Sequence, residues 1–272
     1  MLSNSSNNTS LNSGSEQNML VTYFPFTLVI FGSLFNLVTF GILCRPAFRN
    51  THKRPTIHYM RTIAIFDILM LYGWNSDHFL SGAYGFTLSE YSVPFCKIFS
   101  FLNYFTSQVS AWLRVFICLD RYLSLRYLHK TWFSQSKSVL IIVACIISVF
   151  TIINIHILLF ICHYNIDGSI DRQARLYEIY PIWDYMHLTL YNCVPFIFMF
   201  IFIGGVIYHV TRIRRNSTIQ NSRIQHRSIS ITSVITTVLF LIMTMPTTLC
   251  LAFFFRTISY FILLIFDSIL YP

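Results

Sequence analysis

Charge is scarce in this sequence: Asp, Glu, Lys and Arg make up 11% of 272 residues, while 55% are hydrophobic. A chain so poor in charge cannot cover the surface of a water-soluble domain of this size, so lipid must cover part of it. Metal-ligand patterns are missing as well. The seven cysteines stand singly at Cys44, Cys96, Cys118, Cys145, Cys162, Cys193 and Cys250, with no CxxC pair and no histidine spacing that would make a zinc site. Phosphate-cradling glycine loops and nucleophile–base pairs are absent too, so neither enzyme chemistry nor a cofactor is expected. No internal repeat, linker or second domain interrupts the chain. Its first 44 residues contain no Lys or Arg.

What is there is a series of apolar blocks about 20 residues long, the length that spans a bilayer. Six full spans are expected: 23–43, 57–74, 98–119, 139–161, 185–209 and 229–255. A last apolar run, Ile258 to Tyr271, would extend only about 21 Å as a helix and is too short to cross. The expectation is an all-α membrane protein, a seven-transmembrane helix bundle with an incomplete seventh helix. Residues 1–19, rich in Ser and Asn, are expected to be a disordered extracellular tail, and 20–272 the transmembrane bundle.

The net charge of +9 sits in short segments between the apolar blocks, which speaks for membrane topology and not for nucleic acid. Arg45, just past the first block, keeps that flank in the cytoplasm and sends the N-terminus outside. Thirteen of the 19 basic residues then fall in the loops that this orientation makes cytoplasmic, from Arg45 to Arg54, Arg121 to Lys137, and Arg212 to Arg227. The opposite loops hold Asp77, Glu90, Asp167, Asp171, Glu178 and Asp184 against Arg172 and Arg175. Asn4, Asn7 and Asn8 each begin an Asn-x-Ser/Thr glycosylation site in the outer tail. Asn216 begins one in a cytoplasmic loop, where it should stay empty. Cys96 and Cys162 are the two cysteines outside apolar blocks near one membrane face, so at most one disulfide is expected.

The third span carries the most specific pattern. Cys96 stands at its outer end and Asp120, Arg121 and Tyr122 at its inner end, with Arg121 placed 25 positions after Cys96. In order along the chain, Gly32 and Asn36 in the first span, Asp67 in the second, Pro195 in the fifth, and Phe240 with Pro246 in the sixth join it. This ordered set, over about 23–246, resembles the rhodopsin-like (class A) G-protein-coupled receptors, in a divergent peptide-receptor-like (FMRFamide-type) branch. The resemblance implies a plasma-membrane, multi-pass receptor that signals to a heterotrimeric G protein. It implies that Asp120 restrains Arg121, which with Tyr122 meets the G protein, that Cys96 pairs with Cys162, and that Pro195, Phe240 and Pro246 mark the helix kinks. An ordinary interfacial ion pair is the plainer reading of Asp120 and Arg121 taken alone.

Asn36, Asp67, Ser110 and Arg114 are expected to form a buried polar switch. An ionised carboxylate at mid-span must face the interior, and Arg114, two helical turns before Arg121, is proposed to approach Asp67 in place of a sodium ion. Snorkelling of Arg114 to the inner interface is the alternative. Asn103 stands where amine receptors of the family place an aspartate, and an amide cannot neutralise an ammonium. With Trp74, Asp77, Tyr104, Gln108, Asp184, His187 and Tyr191 it would line an aromatic, mildly acidic outer pocket suited to a peptide; helix packing and interfacial anchoring are the bland readings. The pattern departs from the family at Cys145 and Thr244, where tryptophans are usual, and at the absent Asn-Pro-x-x-Tyr motif. A non-signalling truncated receptor is therefore an alternative, and a transporter or channel, lacking the inverted repeats it would need, a more distant one.

Overall fold

The computed structural model describes residues 7–46, 55–126, 135–171 and 182–216, with side chains from residue 22 onward apart from 74, 184, 210 and 213–216. The sixth span, Phe240, Pro246, the final apolar run and Asn4 lie outside the described residues, as do the side chains of Asn7, Asn8, Trp74 and Asp184.

Among the described residues the chain is almost wholly helical: α1 (Asn7–Leu43), α2 (Thr56–Tyr84), the short α3 (Leu88–Tyr91), α4 (Val93–Arg126), α5 (Ser136–Phe160), a two-stranded hairpin of β1 (His163–Tyr164) and β2 (Ile170–Asp171), α6 (Ile182–Leu188) and α7 (Val194–Asn216). Three segments are long and apolar enough to cross a membrane, Thr22–Leu43, Ser136–Phe160 and Tyr185–His209. They coincide with the first, fourth and fifth expected spans. The second and third fall within α2 and α4, whose windows are more polar. Helices suit a bilayer because each closes its own backbone hydrogen bonds where no water can.

The outward faces tell the same story. On α5 the buried positions include Ser138 and Asn154, whereas the exposed ones are apolar: Leu140, Ile141, Val149, Ile152 and Leu159, with Ile152 at 68% exposure. A helix with polar groups inside and aliphatic groups outside is unfavourable in water and favourable in hydrocarbon. Helix α1 repeats this, exposing Phe24, Phe31, Phe35 and Leu37.

Helix ends depart from the composition-based boundaries. Helix α1 continues back to Asn7, through the Ser- and Asn-rich stretch expected to be a tail. Once a span is helical, each further residue closes one more hydrogen bond at little cost, so polar residues can prolong it. Helix α2 runs ten residues past Trp74 and stops at Gly85, whose φ of 70° turns the chain left-handed while its N–H bonds Ser81 O at 3.1 Å. At the C-terminal end of α1, the Arg61 guanidinium on α2 donates to Leu43 O from Nε (3.2 Å) and Nη2 (2.6 Å). It thereby satisfies a carbonyl that the helix end leaves open.

The hairpin is the one sheet among the described residues. Its register pairs His163 with Asp171 and Tyr164 with Ile170, and His163 Nε2 lies 4.0 Å from Asp171 Oδ2. At the turn, Gly168 (φ 82°) donates to Asn165 O at 3.1 Å, and Asp167 Oδ1 accepts from Ser169 Oγ (2.7 Å) and N (3.1 Å). The Ser169 hydroxyl, with help from its amide, holds the Asp167 carboxyl below the ordinary aspartate range.

The described structure falls into two units, with the divisions after Leu113 on α4 and after Asp184 on α6. The first holds α1, α2, α3, α5, the hairpin and α4 up to Leu113. The second holds α4 from Arg114 onward and α7.

Candidate functional site

In the first unit, the N-terminal half of α4 is the segment around which the polar chemistry gathers. Its residues 105–111 are buried without a break, so its polar members need partners from α2 and α5. Ser110 donates to Asp67 Oδ1 at 2.5 Å, joining two members of the expected polar switch across 43 residues of sequence. A hydroxyl donor to a carboxylate is a strong pairing at mid-membrane depth. Asn36 instead bonds within α1, from Nδ2 to Gly32 O at 2.9 Å. Arg114 is half-buried and belongs to the second unit.

Two residues before Ser110, Gln108 faces α5. Asn154 donates through Nδ2 to Gln108 Oε1 at 2.7 Å and to Phe150 O at 2.8 Å, and both amide side chains are fully buried. The sequence reading missed Asn154: a lone asparagine inside an apolar block gives no periodic signal. Asn103 lies against α2, where a Cβ on Gly73 would sit 2.5 Å from Asn103 Oδ1, so glycine is what lets the two helices close here. That oxygen is buried with no hydrogen-bond partner among the described residues.

The disulfide between Cys96 and Cys162 is formed, with Cα atoms 6.1 Å apart and a sequence separation of 66. It sits in an apolar cluster with Ile157 and Ile161, against which Tyr104, Phe101, Ile170 and Trp183 pack. Cys162 has φ of 62°, a backbone conformation rare for a residue with a side chain. The chain thus turns sharply at the end of α5 and carries the hairpin back over the top of α4. Lys97, next to Cys96, adds a bond from Nζ to Leu159 O at 3.2 Å. Tyr104 therefore serves the packing around the disulfide. Trp183 meets His156 edge to face with centroids 4.2 Å apart, a pair that no sequence signal singled out.

Asp77, expected at the pocket, has both carboxylate oxygens engaged nearby. Oδ1 accepts from Leu88 N and Oδ2 from Ser89 Oγ, each at 2.8 Å. It acts as the N-terminal cap of α3, whose own cap residue, Thr87, makes no side-chain capping bond.

In the second unit, His187 and Tyr191 stack with centroids 5.4 Å apart. Residues Thr189–Cys193 are wound as a π-helix just before Pro195, which is fully buried. Proline cannot donate to the carbonyl four residues back, and widening the preceding turn is one way a helix accommodates that loss. Near the C-terminal end of α4, Asp120 is buried and exerts its charge on the adjacent Arg121. Tyr122 points to α7: its ring lies 6.0 Å from that of Phe202 and 5.9 Å from that of His209. Arg126 Nη1 donates to the Tyr122 hydroxyl at 2.9 Å.

The structure thus joins Asp67 with Ser110 and Cys96 with Cys162, engages Asp77 at α3 and packs Tyr104 near the disulfide. Of the residues expected at the pocket, Asp77, Asn103, Tyr104 and Gln108 belong to the first unit and His187 and Tyr191 to the second. No protein-family model matches this sequence, and a search of curated proteins finds no similar one.

Proposed function

We propose that this chain is a rhodopsin-like G-protein-coupled receptor, with the six full spans and a seventh apolar run forming a seven-transmembrane bundle in the plasma membrane. Its N-terminus is outside, and an extracellular peptide is the ligand. One observation carries the reading: a single continuous helix, α4, bears the disulfide-linked Cys96 near one end and Asp120-Arg121-Tyr122 near the other. The pair of Asp67 and Ser110, half-buried between α2 and α4, supports it as a polar contact that a change in helix tilt could make or break. In this reading Asp120 restrains Arg121, and release of Arg121 opens the inner face to the G protein. The basic loop that follows α7 supplies positive charge at the same face.

The test uses the full chain in lipid nanodiscs with purified heterotrimeric G proteins of each class. A panel of synthetic amidated peptides serves as the probe. The expected result is peptide-stimulated nucleotide exchange with at least one G protein, lost in Arg121→Ala. Cysteine-directed labelling in intact cells provides the topological arm: Arg121→Cys should react only after permeabilisation. Outside labelling of that position would end the receptor reading.

A further inference from the structure

The close approach of α4 and α7 at their inner ends depends on an absent side chain. A Cβ on Gly205 would lie 2.5 Å from Cε2 and 2.7 Å from Cδ2 of Tyr122, inside any permitted contact. The obstacle is the side of an aromatic ring and not the end of a pliable chain. That ring is held elsewhere too, by Phe202 one turn before Gly205 and His209 one turn after it. Arg126 closes the fourth side, bonding the hydroxyl and lying with its guanidinium carbon 5.9 Å from the ring centre. Deeper along the same two helices, Val115 and Cys118 of α4 pack on Met199 and Ile203 of α7 in a small apolar cluster. Below that cluster, the Tyr122 ring is what ties α4 to α7.

We propose that Phe202, Gly205 and His209 form a seat for the Tyr122 ring, with Gly205 as the residue that admits it, and that the seated ring restrains coupling by fixing the inner end of α7. The seat itself stands on geometry; its regulatory consequence rests on the receptor reading above. Gly205 is a positioning residue, since it acts through Tyr122.

Gly205→Ala, Tyr122→Ala and the double variant, all in the full chain, test this by thermal unfolding in detergent. With the ring present, alanine at 205 is expected to lower the midpoint by about 4 °C through overpacking. With the ring removed, the same substitution should be neutral or stabilising, because alanine favours a helix over glycine. Equal losses in both backgrounds would overturn the seat. Should Gly205→Ala yield no folded protein, its recovery in the double variant supports the seat and continued failure overturns it. Basal nucleotide exchange per folded molecule, without any ligand, is then expected to rise in Gly205→Ala and in Tyr122→Ala. Exchange that is measurable but unchanged in both overturns the restraint. Exchange absent from every chain, including the unsubstituted one, with the sign reversal intact, leaves the seat standing and removes the receptor reading instead.

Discussion

Asn154 on α5 and Gln108 on α4 share a hydrogen bond of 2.7 Å between two side chains with no exposed surface. In a bilayer, apolar contact gives helices little reason to prefer one another over lipid, so such a bond helps to choose partner and register. Replacing Asn154 by Leu should cost about 1 kcal/mol in a cycle with Gln108→Leu, in line with interhelical polar pairs in membranes. Thermal unfolding of the two single variants and the double variant measures the coupling; strict additivity would deny it.

The Cys96–Cys162 bond closes a long loop and is expected to contribute on the order of 3 kcal/mol. Cys96→Ser, Cys162→Ser and the double variant should therefore lose stability equally, and reducing agent should bring the unsubstituted chain down to the same unfolding midpoint. A double variant much less stable than either single one would mean that the two cysteines act separately.

For Asp77, the expected consequence is local. Asp77→Ala removes the acceptor of both the Leu88 amide and the Ser89 hydroxyl, at a cost of about 1–2 kcal/mol. Amide hydrogen exchange should accelerate at Leu88 and its neighbours in α3 while that of α5 stays unchanged. Asp77→Asn, which keeps an acceptor, should fall between. Unaltered protection of the Leu88 amide in Asp77→Ala would rule out the cap.

Arg61 offers a parallel test at the opposite face. Its fork grips one carbonyl with two donors, a geometry that lysine cannot reproduce. Arg61→Lys should lose about 1 kcal/mol and speed exchange in the last turn of α1. Equal stability of the two side chains would show that only the charge matters.

The Asp167 turn gives a pH dependence. Ser169 holds the folded carboxyl below its ordinary value of 3.8, so the stabilising contribution is present above that value and disappears as pH falls through the lower folded one. Exchange at the Ser169 amide should stay slow from neutral pH down to about 4 and quicken only below, relative to the intrinsic rate. In Asp167→Ala it should be fast throughout. Quickening between pH 7 and 5 would mean that a group other than Asp167 controls the turn.

How far the sequence reached depends on which physical rule was at work. Apolar runs of bilayer length determined where the helices lie, because a chain in hydrocarbon must close its own hydrogen bonds over a fixed thickness. The cysteine spacing, read through its family resemblance, anticipated the disulfide, and a carboxylate at mid-span had to find an interior donor, as Asp67 does in Ser110. Helix ends were beyond that reading. Past the apolar run, length depends on caps such as Gly85 and Arg61, which composition does not weigh. Most of all, only the tertiary structure decided the partners of single polar and aromatic residues: Asn154 for Gln108, the α3 turn for Asp77, and the bare backbone of Gly205 for the ring of Tyr122. Such contacts join residues many positions apart over a few ångströms, and no local period or composition encodes which two will meet.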